Sequence, residues 1–144
     1  MATYCLIIKL KKDSTISIGK IGQLNFKKGN YIYVGSALNS IDARVKRHLK
    51  SDKKLFWHID YLLNSSNSSI DKIILERSNI KWECVIAKEI AKEGIGITKF
   101  GCSDCKCDSH LFYFKNFQIA EKTVLNAFKI LNLDFEDFDK SCIS

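Results

Sequence analysis

No part of this chain stays apolar for long. Nothing approaches the roughly 20 consecutive apolar residues that a bilayer-spanning helix needs, so a membrane-spanning helix is excluded. Met1 to Leu10 has neither a basic start nor a small-residue cleavage site, so no signal peptide is expected and the cytoplasm is the expected compartment. Proline is absent altogether. Beside the abundance of Lys, Ile and Asn, that reads as genome composition and excludes no chemistry. Internal repeats are lacking, as is any composition shift that would mark a domain boundary. A chain of 144 residues is long enough for a single core.

Acidic residues are scarce at one end only. Residues 1–60 carry 12 Lys or Arg against 4 Asp or Glu, a net of +8, whereas residues 61–144 carry 11 against 12. The positive excess of +7 therefore lies wholly in the first part. Such a stretch can neutralise phosphates and release their counterions, which suggests a polyanionic partner without naming it. A solvated Lys-rich face is the plainer alternative.

Local patterning gives an α/β (α+β) reading, with a small, mainly antiparallel, three-stranded central sheet flanked by helices. Residues 3–10 are β-branched and aromatic and read as a buried strand. Thr15–Ile18 and Gln23–Phe26 alternate around Gly19 and Gly22, which predicts an inserted β-hairpin. Strands are expected at 31–34, 70–76 and, more briefly, 111–114. Helices are expected over about 40–50, 55–63, 82–92 and 117–131, from apolar residues recurring at helical spacing. Residues 1–115 form the expected main domain. Residues 116–144 add a helix packed on or extending it, then an acidic tail read as a solvated end.

Several side chains stand out chemically. Glu83 falls within the apolar arc of its helix, between Ile90 and Ala87, and a carboxylate facing the protein needs a partner. A hard cation is one; a first-turn Glu reaching solvent is the alternative. Arg44 and His48 share one border of the Ile41–Val45–Leu49 stripe, where Arg44 can present a planar fork of donors to a phosphate. Tyr4 and Tyr33 sit on strands, where core packing is the ordinary role. Trp57 and Tyr61, four apart, fit base stacking or packing beneath another element. Cys102, Cys105, Cys107 and His110 form C-x2-C-x-C-x2-H, a donor set suited to Zn²⁺ but tighter than separated zinc knuckles. A buried thiol-lined loop and a redox pair through Cys105 and Cys107 are the other readings.

Spacing joins these residues. Tyr33-Val34-Gly35, then Ile41 to Val45 around Arg44, then Glu83 opening a later helix, resemble the GIY-YIG nuclease family, with Ala2-Thr3-Tyr4 resembling its first signature. The segments Gly29–Ala37, Arg47–Leu49, Trp57–Leu63, Glu83-Cys84 and Gly101–Phe114 are similar to those of the branch called domain of unknown function 123, or Uri-type endonuclease. The resemblance spans about residues 2–115. One departure is that Tyr4 and Tyr33 stand 29 positions apart, wider than is usual in the family, with the hairpin inserted between them. Tyr31 is the alternative to Tyr4.

The resemblance implies hydrolysis of a DNA phosphodiester to a 5′-phosphate and a 3′-hydroxyl, in repair or recombination. Glu83 would hold Mg²⁺ or Mn²⁺, Arg44 the scissile phosphate, and Tyr4 or Tyr33 the attacking water, one of them acting as general base, with His48 assisting proton transfer. Lys46, Arg47, Lys50, Lys53 and Lys54 would grip the flanking backbone. A nucleic-acid-binding module without cleavage and a zinc-stabilised adaptor are the rival readings.

Overall fold

The computed structural model describes residues 1–102 and 105–139. Residues 140–144 of the expected tail, Cys142 among them, lie outside the described residues, as do Ser103 and Asp104 of the Cys-rich segment. The elements run β1 (Ala2–Leu10), β2 (Ser14–Ile18), a 3₁₀ turn (Gly19–Ile21), β3 (Gly22–Phe26), β4 (Gly29–Ala37), α1 (Ile41–Leu49) and α2 (His58–Leu63). Then follow β5 (Ser68–Glu76), α3 (Glu83–Ala91), β6 (Ile95–Gly96), β7 (Leu111–Phe114), α4 (Phe117–Ile130) and β8 (Glu136–Asp139).

Among the described residues the central sheet has six strands in the order β6-β7-β4-β1-β5-β8, and every pairing is antiparallel. This corrects the expected three-stranded sheet. β6 and β8 were invisible to patterning because neither has the side chains of a strand: one is Ile95-Gly96, the other Glu-Asp-Phe-Asp. Both are strands only because a sheet edge offers unpaired backbone groups. β2 and β3 make the expected hairpin, a separate two-stranded sheet. Its turn meets α2, whose Tyr61 ring lies close against Gly19.

β1 lies near the middle of the sheet and is buried on both faces, which accounts for its unbroken apolar run. Tyr4, Leu6, Ile8 and Leu10 face one core with Tyr31, Ile73, Leu75, Ile59, Leu62 and Phe100. Cys5 and Ile7 face the other with Ile32, Val34, Ile74 and the apolar faces of α3 and α4, including Ile86, Ile90, Val124 and Phe128. α4 thus completes the second core. The acidic segment after it is no free end: Lys72 of β5, almost wholly buried, meets Asp137 at 3.2 Å, Asp139 at 3.0 Å and Glu121 of α4 at 2.8 Å. A buried cation of this kind needs counter-charge, and β8 supplies part of it. Among the described residues no helix is long and apolar enough to cross a membrane.

Candidate active site and an adjoining thiol cluster

The ends of β1 and β4 and the start of α1 set one corner of the site. Tyr4 pairs with Gly35 in the β1–β4 register. A Cβ at Gly35 would sit 2.5 Å from the Tyr4 ring and 3.0 Å from the Tyr33 ring, so only glycine leaves space for both tyrosines on that face. Ser40 caps α1, its Oγ accepting from the Ala43 N–H at 3.1 Å, as short polar caps do. That start places Arg44 back over the end of β4, where Arg44 Nη1 donates to the Ser36 carbonyl at 2.7 Å. Ser36 Oγ in turn donates to Glu83 Oε1 at 2.9 Å. One residue therefore holds the guanidinium on one side and the carboxylate on the other.

A cleft of about 400 Å³ opens here, lined by Tyr33, Ser36, Arg44, Trp57, His58, Lys81, Glu83, Cys105 and His110 among others. Tyr33, Arg44 and Glu83 are thus brought together. Tyr4 and His48 lie beneath, 1% and 2% exposed, with Tyr4 Oη 2.6 Å from His48 Nε2. The Tyr4 and Tyr33 rings are 6.3 Å apart. Tyr31, the alternative to Tyr4, donates its hydroxyl to the Lys27 carbonyl at 2.6 Å and belongs to the hairpin side of the core.

Charge in the site follows from burial. Desolvation pushes the Tyr4 and Tyr33 phenols well above their ordinary value, more than Arg44 pulls them down. Burial, then the positive charge of Lys53, lowers His48 to about 3, so its ring is neutral at physiological pH. Burial also pushes the Glu83 carboxyl up, but the nearness of His110 and the Ser36 hydroxyl outweigh it and hold the group below its ordinary value. Glu83 is an anion with 15% of its side chain exposed, facing a cleft and not open solvent.

The basic residues divide. Lys46, Lys50 and Lys54 are exposed and free to meet a polyanion. Arg47 and Lys53, expected to grip backbone phosphates, have structural partners instead. Arg47 forms a two-pronged pair with the fully buried Asp60. Lys53 Nζ donates to the last carbonyls of α1, Arg47 O at 3.2 Å and His48 O at 2.8 Å. The Trp57 ring is shared by both guanidinium groups, 4.3 Å from Arg44 and 4.1 Å from Arg47, a cation–π arrangement. It forms a wall and not an exposed stacking platform. Tyr61 of α2, packed against the hairpin turn, is not part of the cleft.

Next to Glu83 lies a cluster that differs from the one expected. Cys84, Cys105, Cys107 and His110 bring their donor atoms within 4.8 Å of one another. Cys102 is outside the group, its thiol donating to the Phe100 carbonyl at 3.3 Å. Sequence reasoning missed Cys84 because it counted along one loop, although the Glu83-Cys84 pair was in view as a motif. It also gave no role to Ser36, which sits inside the Tyr-Val-Gly-Ser-Ala segment, nor to His58, whose Nδ1 accepts from the Gly101 N–H at 2.9 Å.

A family model described as domain of unknown function DUF123 matches residues 3–133. The chain belongs to that family. No curated protein and no solved structure matches it.

Proposed function

We propose that this chain is a metal-dependent DNA endonuclease of the GIY-YIG kind. The observation that carries the reading is Ser36 bridging Arg44 and Glu83 at the edge of a cleft that Tyr33 also lines. A fixed cationic fork and a fixed carboxylate, both held by Ser36, are what a phosphodiester and its cation require.

Glu83 suits Mg²⁺ or Mn²⁺. Each of its oxygens has one protein neighbour, Ser36 Oγ or His110 Nδ1, which leaves lone pairs for a hard ion that keeps most of its waters. When bound there, such an ion would stabilise charge on the leaving 3′-oxygen and lower the pKa of nearby oxygen groups. Arg44, with Nη1 anchored on Ser36, turns the remaining donors of its guanidinium to the scissile phosphate. Tyr33 orients the attacking water, and its raised pKa keeps it protonated until positive charge is near. Tyr4 and His48 act from below, Tyr4 as a positioning residue held by a neutral imidazole. Exposed Lys46, Lys50 and Lys54 hold the flanking strand without reading sequence. Repair or recombination is the pathway we propose for it.

The test is nicking of supercoiled and branched DNA with Mg²⁺ or Mn²⁺. Glu83→Gln and Arg44→Ala should each lose about a hundredfold or more in rate, as when a single transition-state contact is removed. Cleavage by Glu83→Gln at the wild-type rate would reject the nuclease reading.

A further inference from the structure

We propose that Cys84, Cys105, Cys107 and His110 hold one Zn²⁺ ion, and that this ion positions the imidazole lying against the Glu83 carboxylate. Three observations lead there.

The donors come from two separate parts of the chain. Cys84 is in the first turn of α3, whereas Cys105 and Cys107 lie in the loop leading to β7 and His110 at its threshold. That supplies the second attachment which the loop cysteines alone lack, and a structural zinc site ties distant segments in this way. The distances fit as well. A tetrahedron with Zn–S near 2.3 Å and Zn–N near 2.0 Å has edges of about 3.5–3.8 Å. Cys105 Sγ is 3.5 Å and Cys84 Sγ 3.9 Å from His110 Nε2. All four donor atoms fall within 4.8 Å of one another, a small contraction away from closure.

The third observation is the orientation of His110, which is 2% exposed. Its Nε2 faces the thiols while its Nδ1 lies 3.1 Å from Glu83 Oε2, close enough for attraction but not aligned as a hydrogen bond. Metal-bound histidines commonly turn their other nitrogen to a carboxylate, which fixes the tautomer and the ring. Here the carboxylate is the one at the cleft. Binding would release the thiol protons, leave His110 neutral with its proton on Nδ1, and draw that N–H toward Glu83.

The zinc site stands without the nuclease reading; only its bearing on cleavage rests on it. Protein purified under reducing conditions without added zinc would be assayed for bound metal, then exchanged with Co²⁺. Expected are one zinc per chain and thiolate-to-cobalt charge-transfer absorption. Cys102→Ser should keep the full equivalent, and Cys84→Ser should lose it. Should Cys84→Ser fail to fold, stepwise thiol modification of the wild-type chain replaces it, with zinc released as the cluster thiols react. Wild-type protein that binds no zinc even when one equivalent is supplied overturns the proposal. Loss of zinc in Cys102→Ser with retention in Cys84→Ser overturns it too, as does a disulfide among these cysteines in the reduced preparation. Glu83→Gln should keep its zinc while losing cleavage. Full zinc in a wild-type chain that cuts no DNA rejects the nuclease and leaves the zinc site standing; cleavage without zinc does the reverse.

Discussion

Replacing Asp60 with alanine removes a carboxylate that has no exposed surface. It accepts from Arg47 Nη1 at 2.8 Å and Nη2 at 2.9 Å, and from the backbone N–H groups of Phe56 at 2.9 Å and Trp57 at 2.8 Å. Breaking a buried pair from one side costs about 3–5 kcal/mol, because the other charge is stranded. Arg47 keeps 28% of its side chain exposed, so water screens it and the lower end, about 3 kcal/mol, applies. Losing the bond that starts α2 adds about 1 kcal/mol. At roughly 2–4 °C per kcal/mol for a chain of this size, the melting temperature should fall by about 10 °C in a calorimetric or circular-dichroism melt at pH 7.

Two controls sharpen this expectation. Arg47→Lys keeps the charge but not the fork and should show a smaller loss. The pH dependence has a definite sign. Burial pushes the Asp60 carboxyl up, but bonds from Arg47, Phe56 and Trp57 together bring it below its ordinary value. A group lowered on folding contributes fully above its unfolded value of about 3.9, and less as pH falls through the folded value. The gap between wild type and variant should therefore narrow below about pH 4. A fall in Tm of less than about 2 °C at pH 7 would refute the reasoning and return Arg47 to the phosphate-binding role.

His48 should remain neutral in NMR titrations from pH 8 to 5, given its value of about 3; a midpoint near the ordinary one would contradict its burial against Tyr4. Because the unfolded ring takes up a proton below about 6.5, stability should decline as pH falls from there, by at most about 1.4 kcal/mol per pH unit from this group. Gly35→Ala should cost about 1–3 kcal/mol and reduce cleavage further than its stability loss explains, since the new methyl displaces both tyrosine rings. Unchanged activity would show that the rings need no such space. Lys72→Met should leave the melt within about 1 kcal/mol of wild type, because its carboxylate partners keep exposed surface and remain hydrated. Amide exchange of residues 136–139 should nevertheless quicken as β8 loosens from β5, and unaltered exchange there would exclude an electrostatic hold on that strand.

Much of the site was legible because its residues carry unusual costs. A carboxylate on the apolar arc of α3 had to have a partner, and it has two, Ser36 and His110. Arg44 on the border of the α1 stripe reached the cleft, as its place on the helix allowed. Arg47, three residues on and pointing away from that stripe, has the same chemistry and the opposite fate. The difference is made by Asp60, which arrives from α2 beneath one guanidinium and not the other.

Periodicity and composition by themselves determined the burial of β1, the inserted hairpin and the helices. These follow from short-range rules, since side chains alternate every two residues in a strand and return about every 3.6 in a helix. Tertiary structure alone decided that the sheet would have six strands, that Cys84 and not Cys102 would join the thiol cluster, and that Tyr4 would lie beneath the cleft floor. Edge strands are made by the unpaired backbone groups of a neighbour, and a thiol cluster by the meeting of a helix with a distant loop. Both depend on distances in space that spacing along the chain does not encode.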